Sequence, residues 1–109
     1  MLTKFRLKML NREASSPKNK PVEIIEHLNI YNGNVVGDIG SGGGFFTREF
    51  SREVGSKGQV YAIDTHQKSL DYIEDDIQKE GIENVQTILA NPDRIKLPEK
   101  RVDLFFLRN

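Results

Sequence analysis

Val35-Val36-Gly37-Asp38-Ile39-Gly40-Ser41-Gly42-Gly43-Gly44-Phe45-Phe46 is the stretch on which the fold turns. Its first five residues are a short apolar run and read as a strand. Glycines at 40, 42 and 44 follow, and an aromatic pair opens a segment that reads as a helix over 45–54, stopped by Gly55. A glycine loop between a strand and a helix turns sharply and lets a ligand lie against its backbone, because no Cβ stands in the way. The N–H groups at the start of the helix point into the same space.

The pattern continues on both sides. Upstream, Pro21 suits the first turn of a helix. Ile24, Ile25, Leu28 and Tyr31 follow at helical spacing, with Glu23, Glu26 and Asn29 outside, and Asn32-Gly33-Asn34 turns the chain. Downstream, residues 59–64 (QVYAID) read as a second strand. Residues 69–80 read as a helix with Leu70, Ile73 and Ile77 on one face and Gly81 past its end. Residues 85–89 form a third strand, 91–101 a turn-rich connection with two prolines, and 102–107 (VDLFFL) a fourth strand. The strands are short and apolar without strict alternation, as in a sheet covered on both faces. Strands alternating with helices argue for right-handed crossovers and a parallel sheet. The expected fold is α/β, a Rossmann-like parallel sheet of order 3-2-1-4 with flanking helices and a crevice between strands 1 and 4.

Composition narrows the function. The chain has 109 residues, the size of one small domain, with 37% hydrophobic and 29% charged residues. It has no cysteine, which excludes a disulfide scaffold, thiol catalysis and cysteine-ligated metal, and its two histidines are too few for a histidine-rich metal site. No apolar run approaches the length that spans a membrane. The start, MLTKFRLKML, lacks the apolar core of a secretory signal. The cytoplasm is the expected compartment. Net charge is zero, but residues 1–20 carry six basic residues against Glu13 alone. This basic arm, ending where Ser15, Ser16 and Pro17 break any helix, reads as a solvated, frayed terminus. Contact with nucleic acid is the less favoured alternative, because only Phe5 interleaves the charges.

Three ligands compete for the loop. A phosphate-binding P-loop needs a Lys-Ser/Thr pair after its last glycine, and Gly44 is followed by Phe45. A dinucleotide loop, GxGxxG, needs glycine at 45, and Asp38 would face the pyrophosphate with a negative charge. A nucleoside that carries a cation instead of phosphates turns Asp38 into an asset. Asp64, closing the second strand, suits a ribose diol, since a carboxylate accepts two hydroxyl hydrogen bonds. S-adenosylmethionine has that chemistry.

These motifs resemble the class I S-adenosylmethionine-dependent methyltransferases, in particular the branch with the ubiquinone/menaquinone methyltransferases. Asp38-Ile39-Gly40-Ser41-Gly42-Gly43-Gly44 looks like the family's first motif, DxGxGxG. Residues 60–64 look like its second, Leu89-Ala90-Asn91 with Leu97-Pro98 like its third, and 102–107 like its fourth strand. The resemblance covers about residues 21–109. It implies that backbone at Gly40 and Gly42 lines the methionine part, that Ser41 and Gly44 belong to the same cofactor-binding loop, and that Asp38 helps hold the amino group. It further implies that Asp64 takes the ribose hydroxyls, Thr65 flanks the adenine and Asn91 reaches the adenine amino group. The family usually has Asp where Asn91 stands, and Pro92 removes a backbone donor beside it. The family also continues into three more strands, which this chain lacks. The expected function is therefore the cofactor-binding portion of a methyltransferase acting on a small-molecule acceptor. Its rival is a non-catalytic S-adenosylmethionine-binding module that completes its sheet with a partner, and a homodimer through the strand-4 edge is the partner expected.

No catalytic base stands out. His66 reads either as an adenine contact or as part of a helix cap, and His27 as structural. Asp71, Glu74, Asp75, Asp76 and Glu80 read as a solvated helix face and not as metal ligands. Phe45 and Phe46 read as helix–sheet packing, Phe105 and Phe106 as packing on the two faces of strand 4, and Asp103 as a structural residue at that strand's start.

Overall fold

The structure is a computed structural model that describes residues 3–17, 20–91, 93 and 101–107. In chain order it holds α1 (Lys4–Ser15), α2 (Pro21–Leu28), β1 (Val35–Ile39), α3 (Phe45–Val54), β2 (Gln59–Asp64), α4 (Gln67–Glu80), β3 (Val85–Leu89) and β4 (Leu104–Leu107). The four strands make one sheet of order β3-β2-β1-β4, and every neighbouring pair is parallel. The carboxyl ends of β1 and β4 meet at Ile39 and Leu107. The glycine loop leaves the sheet at that edge.

One face of the sheet carries the main core. Val36, Val60, Ala62 and Val85 pack against Phe46, Phe50 and Val54 of α3 and Ile73 and Ile77 of α4. The spacing of four between Phe46, Phe50 and Val54 puts them on one stripe of α3. Phe106 points to this face, with its ring 5.0 Å from that of Phe46 and 5.1 Å from that of Phe50. The opposite face holds a smaller cluster around Tyr61, Ile63 and Ala90, with Val35, Ile39, Ile88 and Val102 against it and no described helix residue. Phe105 lies on this side and fills the space above Gly37, where a Cβ would stand 2.7 Å from its ring.

The bounds of β1, α3, β2 and β3 agree with the sequence reading. Three details do not. Tyr31 is exposed rather than on the apolar face of α2, which ends at Leu28 on a left-handed Asn29. α4 starts two residues early, because the His66 carbonyl already accepts from Ser69 and Leu70. β4 starts two residues late. Asp103 serves as a brace there: its amide donates to the Val35 carbonyl, and its carboxylate accepts from the Val35 amide at 2.8 Å.

The largest correction concerns the basic arm. Residues 4–15 are a helix, capped by the Thr3 hydroxyl, which accepts from the Arg6 amide. Leu7 is 1% exposed. The charges of α1 decorate a packed helix instead of a frayed one, and its inner face lies on the glycine loop. Lys18, Pro92, Leu97 and Pro98 lie outside the described residues.

Candidate functional site

The loop after β1 keeps its shape by backbone geometry that favours glycine. Gly40, Gly42 and Gly44 have φ of +73°, +56° and +87°, all left-handed. The Gly40 and Ser41 amides both donate to the Ile63 carbonyl, which anchors the loop to β2. A side chain at Gly40 would meet nothing within 4 Å, and one at Gly42 only Leu10 and a carbonyl oxygen at about that limit. The loop thus presents bare backbone to open space.

That space is a cleft of about 390 Å³. Asp38, Gly40, Ser41 and Gly42 line it, as the sequence reading expects, together with Phe45, Phe46 and Phe106. The remaining wall comes from α1, through Leu10, Asn11, Glu13 and Ala14. The buried Ser41 hydroxyl has no hydrogen-bond partner in the structure. A buried polar atom left over beside a cleft is a place for a ligand to bind.

Asp38 is the electrostatic centre of the cleft. It is 3% exposed. The Thr47 hydroxyl donates to it at 2.6 Å. Burial pushes its carboxyl from an ordinary 3.8 up to about 7; the Thr47 bond opposes that rise and the Asp64 carboxylate adds to it. A group so placed accepts a cation readily, since a positive charge restores what burial removed.

The other expected residues are placed differently. Gly44 caps α3 behind the loop, and a Cβ there would stand 2.8 Å from Ile73. Its role is close packing, and it does not line the cleft. Asp64 is buried at the end of β2, where one oxygen accepts from the Gly42 amide and the other from the His66 amide, both at 2.9 Å. It braces the loop from outside the cleft lining, and the oxygen bonded to the Gly42 amide makes no second bond among the described residues. Thr65 and Asn91 are exposed and outside the cleft lining. The Asn91 side-chain oxygen accepts from the Asp93 amide in a local turn. His66 is the residue before α4, with an exposed ring 3.2 Å from the Asp64 carboxylate. Among the described residues no cluster of three or more His, Asp or Glu is arranged to hold a metal.

Sequence reasoning missed Thr47 and the whole α1 wall. The α1 signal was present in Leu7, Leu10 and Ala14 at spacings of three and four behind a Thr3 cap. Thr47 carried none, because its bond to Asp38 appears only when α3 packs on β1.

Ubiquinone/menaquinone biosynthesis C-methyltransferase UbiE of Marinomonas sp. (strain MWYL1) is 37% identical over 90 residues, which cover 78% of this chain and 36% of the relative. UbiE of Pseudomonas paraeruginosa (strain DSM 24068 / PA7) is 34% identical over 90 residues, 78% of this chain and 35% of its own. The chain thus spans about a third of the length of these curated relatives. Among solved structures, a SAM dependent methyltransferase from Aquifex aeolicus superimposes with a TM-score of 0.74 at 29% identity, over 89% of this chain and 54% of that one. A SAM-dependent O-methyltransferase from Thermotoga maritima gives 0.65 at 27% identity, over 82% and 33%. The glycine loop, the parallel order β3-β2-β1-β4 and a sequence match over residues 36–109 agree, and the chain belongs to the methyltransferase domain family.

Proposed function

We propose that this chain is the S-adenosylmethionine-binding portion of a methyltransferase that acts on a small-molecule acceptor in the cytoplasm. The observation that carries the reading is the cleft itself: bare left-handed backbone at Gly40 and Gly42 facing a buried carboxylate, Asp38. The residues fit the cofactor. Asp38 is matched to its ammonium group, the orphan Ser41 hydroxyl to its methionine carboxylate, and the Asp64 oxygen that accepts only from the Gly42 amide to a ribose hydroxyl. Thr65 and Asn91 are assigned to the adenine end, the second through its side-chain oxygen, which accepts from the Asp93 amide and has a second lone pair for the adenine amino group.

Bound there, the cofactor supplies a methyl group activated by a sulfonium. The chain's own contribution is orientation and exclusion of water. The loop and Asp38 fix the amino-acid end, while Phe45, Phe46 and Phe106 give the cleft an apolar lining in which an apolar acceptor face can rest. Positioning of this kind supplies much of the rate for an in-line displacement. No base is assigned. Calorimetric titration with S-adenosylhomocysteine and with NAD tests the reading. Binding of the first and not the second is the expected result, and the reverse would assign the loop to a dinucleotide.

One observation favours a second reading, a binding module that completes its sheet with a partner or a second copy of the chain. Phe105 and Leu107 on β4 are 43% and 68% exposed, at the sheet edge among the described residues. A turnover assay with a sizing measurement separates the two.

A further inference from the structure

α3 begins on a glycine, so no side chain of its own caps its first turn. The amides there have no intrahelical acceptor. A residue from another helix does the capping. The Asn11 side-chain oxygen accepts from the Phe45 amide at 3.0 Å, and its nitrogen donates to the Gly43 carbonyl at 2.7 Å. One amide group thus clasps the glycine loop and the helix behind it. The fit around it is close. A Cβ at Gly43 would stand 2.6 Å from the Leu7 carbonyl oxygen and would collide with the Asn11 side chain, so the docked α1 requires a glycine there. Leu10 approaches the space beside Gly42.

Beyond this clasp α1 docks on a narrow stripe, with Ala14 packed against the main core. Leu7 is its one fully buried residue, and Phe5 and Met9 on the same helix are exposed. A helix of 12 residues is marginal without tertiary packing. Such a unit opens more readily than the core around it.

We infer that Asn11 is a positioning residue for the cofactor loop, and that docking of α1 and binding of S-adenosylmethionine are one coupled equilibrium. The inference rests on the proposed reading of the loop as the cofactor site. Coupling is reciprocal: a docked α1 holds the loop in its binding shape, and a ligand on the loop holds α1 down. The wall formed by Leu10 and Ala14 then exists as a wall only in the docked state.

The test titrates S-adenosylhomocysteine into the wild-type chain, Asn11→Ala, Leu7→Ala and Ile77→Ala. Hydrogen exchange of residues 4–15 is followed with and without the ligand, and circular dichroism checks folding. Ile77 is a core residue of α4 that does not line the cleft, and it reports loss of stability alone. The inference expects affinity to fall at least tenfold in Asn11→Ala and to stay within twofold in Ile77→Ala, even where the latter melts lower. It expects α1 amides to gain protection on ligand binding in the wild type and to lose that response in Asn11→Ala. Leu7→Ala, which undocks α1 without altering a side chain that bonds the loop, reproduces both losses and stands in if Asn11→Ala fails to fold. Wild-type binding with unchanged affinity in both α1 variants, or with no change in α1 exchange, overturns the inference and leaves the cofactor reading intact. No binding by the wild type overturns the reading itself.

Discussion

Asp38 is an expensive residue to keep. Buried at the mouth of a glycine loop, its carboxyl titrates near 7 in the folded chain and near 3.8 in the unfolded one. Between those values the folded chain holds a proton that the unfolded chain has released, so stability from this group is fully present below about pH 4 and declines as pH rises through 7. Asp38→Asn removes the decline. Urea denaturation should show the variant gaining on the wild type from pH 4 to pH 8, by at most about 4 kcal/mol; a flat difference would mean that the carboxyl is not desolvated. The same variant should bind S-adenosylmethionine more weakly, because an amide cannot neutralise an ammonium group. In the wild type the bound cation favours the carboxylate, so binding near pH 6.5 should release protons, measurable by calorimetry in buffers of different ionisation enthalpy. Asp64 has a different double duty. Its two braced amides make Asp64→Ala a structural as well as a binding change. We expect a loss of about 1–3 kcal/mol of stability, together with roughly 30- to 1000-fold in cofactor affinity, read by thermal melting and titration.

α3 owes its seat to Gly44, whose left-handed φ and closeness to Ile73 leave no room for a methyl group. Gly44→Ala should cost about 1–3 kcal/mol in chemical denaturation. The double variant with Ile73→Ala should be less destabilised than the two single variants added together, since the second change removes the atoms that the first would strike. Additive costs would place the whole penalty in the backbone. Features of this local kind were legible in the sequence. The loop was readable because left-handed backbone demands glycine at its own positions, and β1, β2 and β3 because apolar runs between Gly and Asn leave few alternatives. α3 was readable from the glycines at both its ends. α1 was not, although Leu7, Leu10 and Ala14 mark a stripe, because six basic residues in the first twenty dominate the composition there. Asn11 was illegible for a stronger reason: its partners lie 32 and 34 positions away, and only the fold brings them together. Asp64 was read as a free ligand because a strand end in sequence does not reveal which amides the loop will turn toward it.

Among the described residues the sheet is covered unequally. Helix side chains pack one face, while the cluster around Tyr61 and Ile63 on the other has no described helix residue against it, and β4 presents Phe105 and Leu107 beside it. Among the described residues β4 is an edge strand, and apolar residues on such an edge invite pairing. The mean mass from light scattering should therefore rise above the 12.5 kDa of one chain with concentration, and Leu107→Lys should suppress that rise without lowering the melting temperature. A chain that stays monomeric at high concentration would show that the edge is protected. The way β4 joins the sheet also sets a timetable. Asp103, which braces the first amide of β1, lies 68 positions downstream of it. On a ribosome adding roughly 5–20 residues per second, β1 emerges roughly 3–14 s ahead of that brace. β2 arrives first, so the nascent sheet grows on one side of β1 while the other side, destined for β4, is still open to whatever strand the cell brings near.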